Sequence, residues 1–96
     1  MEAPVISTDV LARYAGDAAL EVDRVSRLTR DAAQVVGTAE RADVVVHLEL
    51  EWGAPAEEVA RRVQDRVTEY LERMANLDVG SVDVVVERVG APPAKQ

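Results

Sequence analysis

A single histidine, His47, stands among Asp43, Glu49 and Glu51, with Asp83 and Glu87 farther along the chain. An imidazole serves as a general base or a metal ligand when neighbouring carboxylates orient it or complete its coordination shell. If the segments that carry these residues are adjacent strands, several of them share one sheet face. That face would be either a divalent-cation site or an acidic docking surface. A cation site needs oxygens converging from more than one element. A solvated strand face needs only regular alternation, which the residues around His47 have, so the solvated face is the favoured reading.

Arg61, Arg62, Arg66 and Arg73 could form a basic strip. Glu57, Glu58, Asp65, Glu69 and Glu72 are interleaved with them, and acid-before-base spacing of four is the pattern of a helix face laced with ion pairs. Trp52, beside Gly53, could anchor a partner, since Trp is enriched at interface hot spots; the alternative is a ring capping the edge of the core. The sequence contains no Gly-rich phosphate loop, no KH-type Gly-x-x-Gly turn and no completable Ser/His/Asp set. No catalytic residue, cofactor site or metal site is predicted.

The 96 residues suffice for one hydrophobic core and not for two. Aromatic residues make up 3% of the chain and Phe is absent, so an apolar share of 48% means an aliphatic core of Val, Ala and Leu. There is no cysteine, which excludes disulfides and thiolate metal sites and suits a reducing compartment. The N-terminal residues do not read as a secretory signal, and no apolar run approaches the ~18 residues of a membrane span, so direct membrane insertion is not expected. A net charge of −7, from 18 acidic against 11 basic residues, opposes attraction to phosphate backbones and anionic headgroups.

Ser7, Thr8 and Asp9 cap a three-and-four pattern of Val10, Leu11, Tyr14, Ala15, Ala18, Ala19 and Val22, which predicts a helix over about 8–22. Residues 24–41 hold at least one short strand, with 37–41 as a connection in which Gly37 is free to take a positive φ. Residues 43–52 alternate strictly: Val44, Val46, Leu48, Leu50 and Trp52 against Asp43, Val45, His47, Glu49 and Glu51. This is a strand with one covered face. Pro55 followed by Glu57 and Glu58 opens a second helix, expected to reach about Asn76 with Val59, Ala60, Val63, Val67, Tyr70, Leu71 and Met74 as its stripe. A second alternating strand covers 81–89, with Val82, Val84 and Val86 on one face and Asp83, Val85 and Glu87 on the other. The fold class is therefore α+β: a two-layer sandwich with two helices on one face of a small three- or four-stranded mixed sheet. Residues 1–90 form its single domain, and residues 91–96, with two adjacent prolines, form a disordered tail.

Four stretches carry a family resemblance. They are Ile6-Ser7 leading to Val10-Leu11-Ala12-Arg13-Tyr14-Ala15 and Ala18-Ala19-Leu20-Glu21-Val22; Val44 to Gly53; Glu58-Val59-Ala60-Arg61-Arg62-Val63-Gln64; and Val82-Asp83-Val84-Val85-Val86-Glu87. Together they resemble the alkaline shock, or envelope stress response, proteins of Gram-positive bacteria. The resemblance implies a small cytoplasmic protein, needed under envelope or alkaline stress, without catalytic residues. Some members of the family are held at the membrane by a separate anchoring protein.

The expected function is thus protein binding, with a protein partner, membrane-anchored in one version, or a homo-oligomer. Val45, His47, Trp52 and Val85 are the candidate interface residues. An exposed sheet edge would let a second copy or a partner add a strand. A second reading is a small RNA-binding domain, which shares a two-helix, one-sheet layout. The acidic charge and the missing stacking aromatics weigh against it.

Overall fold

The computed structural model describes residues 6–30, 33–37 and 41–92. The elements follow the order α1 (Thr8–Leu20), β1 (Val25–Leu28), β2 (Gln34–Gly37), β3 (Arg41–Leu50), α2 (Ala56–Ala75) and β4 (Asp78–Val89). The hydroxyl of Ser7 accepts the Val10 N–H at 3.3 Å, which satisfies one of the donors a helix start leaves open. Leu11, Ala12, Ala15, Ala18 and Ala19 bury the inner side of α1. Val10, counted in that stripe from the sequence, is exposed.

The sheet is mixed and three strands wide. β3 lies at its centre, parallel to β4 along its whole length, with Val44 opposite Val82, Val46 opposite Val84 and Leu48 opposite Val86. Its other edge is shared by two short antiparallel strands laid end to end. β1 pairs Val25 with Leu50 and Leu28 with Leu48, and β2 continues from Gln34 against Val45 to Gly37 against Ala42. The stretch whose patches of Val and Leu are broken by arginines is therefore one edge strand with an interruption. Gly37 has φ +145°, and an added Cβ there would run into the backbone of Arg41 and Ala42. Only glycine fits at this end of β2.

α2 opens behind Pro55, carries Glu57 and Glu58 in its first turn, and ends at Asn76 in the left-handed conformation, a common helix stop. The ion pairs Arg61–Glu57, Arg62–Glu58 and Arg73–Glu69 all form at 2.7 Å on the wet side. Val59, Val63, Val67 and Leu71 face inward and are completely buried, in one core cluster with Val44, Val46, Leu48 and Leu50 of β3; α2 packs chiefly on β4 and α1. Met74, assigned to the same stripe, is half exposed near the helix end. The two helices meet through the rings of Tyr14 and Tyr70, edge to face at 5.9 Å, and through the Arg66–Glu21 pair. The core is aliphatic, and among the described residues no polar or charged one is buried in it.

Three boundaries differ from the sequence expectation. β3 begins at Arg41 and ends at Leu50, so Trp52 is not the last residue of its apolar face. The Glu51 N–H donates to the Arg24 carbonyl, the Ala54 N–H donates to the Glu51 carbonyl at 3.1 Å, and Gly53 turns the chain with φ +82°. Trp52 sits in that turn, 54% exposed. β4 begins at Asp78, three residues before the expected start, because Gly80 forms a bulge that lets the strand continue backwards. A Cβ at Gly80 would collide with the Asp43 and Arg41 side chains. Helix α1 stops at Leu20, two residues short of Val22. Residues 38–40 of the predicted connection and 93–96 of the predicted tail lie outside the described residues.

Candidate functional site

Strand alternation sends Asp43, Val45, His47 and Glu49 of β3 away from the helices. Register places Val85 beside His47, Asp83 beside Val45 and Ser81 beside Asp43 on β4, and Gln34 beside Val45 and Val36 beside Asp43 on β2. The open sheet face thus brings together three of the four sequence-predicted interface residues: Val45, His47 and Val85. It does not bring in Trp52, whose carbonyl instead accepts from Arg24 Nη2 at 3.1 Å in the turn past β3.

Asp43, Glu49 and Glu87 on this face are braced. Glu87, the extra residue of a bulge between Val86 and Arg88, reaches across the central strand. It accepts a hydrogen bond from the Thr29 hydroxyl at 2.6 Å and lies 3.6 Å from Arg30 Nε. His47 Nδ1 is 3.3 Å from the same carboxylate, but is directed off the line of a hydrogen bond. The His47 side chain is only 15% exposed, covered by its neighbours on the sheet surface. Glu49 accepts from Ser26 Oγ at 3.1 Å and pairs with Arg27 at 3.5 Å. The Ser81 hydroxyl donates to Asp43 at 3.2 Å, and Glu51 pairs with Arg24 at 3.3 Å.

The Thr29 hydrogen bond holds the Glu87 carboxyl below the usual carboxylate range. Partial desolvation opposes it, and the charges of Arg30 and His47 assist it. A carboxylate stabilised as the anion by a hydroxyl and a guanidinium is a poor proton donor near neutrality. Among the described residues no group of three or more His, Asp or Glu is arranged to hold a metal ion. Asp43, Glu49 and Glu87 act as struts between strands, and between them lies a diagonal of valines. Val36 on β2, Val45 on β3 and Val85 on β4 each stand one strand over and two residues along from the last. Val36 is 70% exposed and Val85 39%.

Sequence reasoning missed Thr29, Arg30 and Val36 as members of this face. Val35-Val36 is visibly β-prone, but four residues do not reveal which of two adjacent valines faces outward. Thr29 meets Glu87 across 58 positions of sequence, a contact that depends on both the sheet order and the bulge.

An α+β sandwich whose sheet is covered on one face and braced and valine-lined on the other defines a small module with a surface to offer. The family follows from the sequence match: residues 32–91 fit the model of the Asp23 family, described as having a cell envelope-related function. The match spans more than half of the chain, and the protein belongs to that family, whose name is unrelated to residue 23 here. No curated protein matches the chain. Two solved structures share its fold. A histidine-to-glutamate variant titled MamM CTD is 17% identical with a TM-score of 0.68, covering 83% of this chain and 93% of its own. A histidine-to-alanine variant titled MamM-CTD is 12% identical with a TM-score of 0.61, covering 85% and 98%. At such identities the likeness concerns fold alone. No helix among the described residues is long and apolar enough to cross a membrane.

Proposed function

We propose that the protein is a non-catalytic interaction module of the cell-envelope stress response, which docks a protein partner on the open sheet face around Val45, His47 and Val85. The observation that supports this best is the Val36–Val45–Val85 diagonal, apolar and solvent-facing, between carboxylates already engaged with hydroxyls and guanidinium groups. Pre-paired acids keep the strands in place and need no rearrangement when a partner covers the valines, which lowers the ordering cost of binding. A membrane-anchored partner would bring the module to the envelope without a span of its own, consistent with the family's envelope-related description.

Affinity capture of the tagged chain from cells under alkaline or envelope stress tests this reading. It predicts a defined partner that fractionates with membranes. Repeated recovery of the chain with no partner contradicts it. An RNA-binding role gains little from the open face, where the described outward residues of β2, β3 and β4 include no Phe, Tyr or Trp for a base to stack on and the one imidazole, His47, is largely covered by its neighbours. A gel-shift series at low salt is expected to show no retardation.

A further inference from the structure

The main-chain groups of β3 divide by parity. Thr29 N–H donates to the His47 carbonyl at 3.0 Å and Glu51 N–H to the Arg24 carbonyl at 2.9 Å, so odd residues of β3 face the β1/β2 side. Gly90 N–H donates to the Leu50 carbonyl at 2.8 Å, so even residues face β4. In a parallel ladder a residue bonds to the neighbours of its register partner, and the partner itself points away. Val82, Val84 and Val86, the partners of Val44, Val46 and Leu48, therefore turn their N–H and C=O groups to the outer edge of β4. The Val82 carbonyl confirms this, since it is taken from outside the ladder by Gln64 Nε2 at 2.9 Å. Among the described residues β4 pairs only with β3.

The geometry points to this edge as a self-pairing site: two copies of the chain join antiparallel along β4, with Val84 of one opposite Val84 of the other. Bulges at Gly80 and Glu87 limit the regular edge to Ser81–Val86. Within it, residues facing one another across a two-fold axis must share a side of the sheet, which leaves few registers. Centring the pair on residue 83 sets Asp83 against Asp83. Centring it on residue 85 sets Asp83 against Glu87. Like charges directly opposite destabilise a pair. Centring on Val84 sets Asp83 against Val85 on the open face and Val82 against Val86 on the helix side. It also completes the cover of Val84 and Val86, which one copy leaves half-buried. A seam of five residues a side, Val82–Val86, is small, and Gln64 competes for one acceptor in each copy, so the dimer is weak and depends on concentration. This inference uses the edge of the sheet, and the docking proposal uses its face.

Sedimentation of the full chain over a concentration series, up to about 1 mM, is expected to show a reversible monomer–dimer equilibrium. Val85→Lys places two lysines opposite Asp83 and should tighten the dimer roughly three- to tenfold; Val85→Glu places two acids there and should weaken it by a similar factor. Because the chain has no cysteine, a thiol can be introduced singly. Val84→Cys should be joined efficiently by a bismaleimide shorter than four residues of strand, about 13 Å. Val86→Cys, whose counterpart lies that far away, should not. A strictly monomeric chain across the series overturns the inference, as do a Val85→Lys variant no tighter than Val85→Glu or equal linking at both cysteine positions. Val45→Lys, on the central strand, should leave the dimer unchanged. Undiminished partner capture by Val45→Lys with an intact dimer therefore counts against the docking proposal alone.

Discussion

The two faces of one sheet follow different rules. The covered face of β3 presents Val44, Val46, Leu48 and Leu50, all without solvent exposure, to a core shared with an equally dry row of α2 and the alanines of α1. One residue along the strand, the open face presents the exposed Asp43 and the partly shielded Val45, His47 and Glu49, with Asp43 and Glu49 tied to neighbours by hydroxyls and a guanidinium group. Stability resides on the first face, where each side chain has lost its water and gained close-packed neighbours. The second face is supported by the first and is free to change. It is also where a side chain can be replaced without removing the fold, which is what a binding surface requires.

The comparison predicts a steep gradient of mutational cost. Leu48→Ala empties space in the covered layer and should cost about 2–5 kcal/mol, read by urea denaturation; a change near zero would mean that the helices do not seal that face. Gly37→Ala forces a side chain into a left-handed backbone against Arg41 and Ala42, and should cost about 1–3 kcal/mol. It strikes the edge that positions Val36, so thermal melting should fall while the α-helical circular dichroism at low temperature persists. Glu87→Gln should have the smallest effect, and one that depends on pH. A carboxyl whose folded value is depressed adds stability above its unfolded value, near 4.3, and loses it as pH falls through the folded value. The native chain should exceed Glu87→Gln in melting temperature at neutral pH, and the gap should close in acid. A gap independent of pH would remove the Thr29–Glu87 hydrogen bond as its cause.

The strong periodicities were readable from the sequence: β3 from its alternation, α2 from its acid-before-base pairs, α1 from Ser7 and the alanine stripe. Each is a local signal repeated over three or more turns or pleats. What escaped depends on distant partners. β1 and β2 are four residues each, too short for alternation to fix a face, and they become one edge only because β3 supplies a continuous ladder. Gly80 lies just before the strand expected from the alternation, yet it serves as a bulge within β4, which pairs with β3 on both sides of it. Trp52 continues the odd–even pattern of β3 in sequence, yet the turn at Gly53 lifts it out of the sheet. Of the interface, Val45, His47 and Val85 were legible because outward alternation suffices to name them. Thr29, Arg30 and Val36 were not, since their place depends on sheet order.

The central claim is that the open face binds and the covered face holds. Val45→Lys tests both halves in one pair of measurements, thermal melting of the purified chain and capture of the partner from stressed cells. A charged side chain on a solvent-facing strand position should move the melting temperature by less than about 5 °C, while the hydration shell of the new ammonium group, placed in the middle of the valine diagonal, should abolish capture. Unfolding of the Val45→Lys chain would show that this face is core and that the sheet is not one-sided; normal melting with undiminished capture would place the docking surface elsewhere.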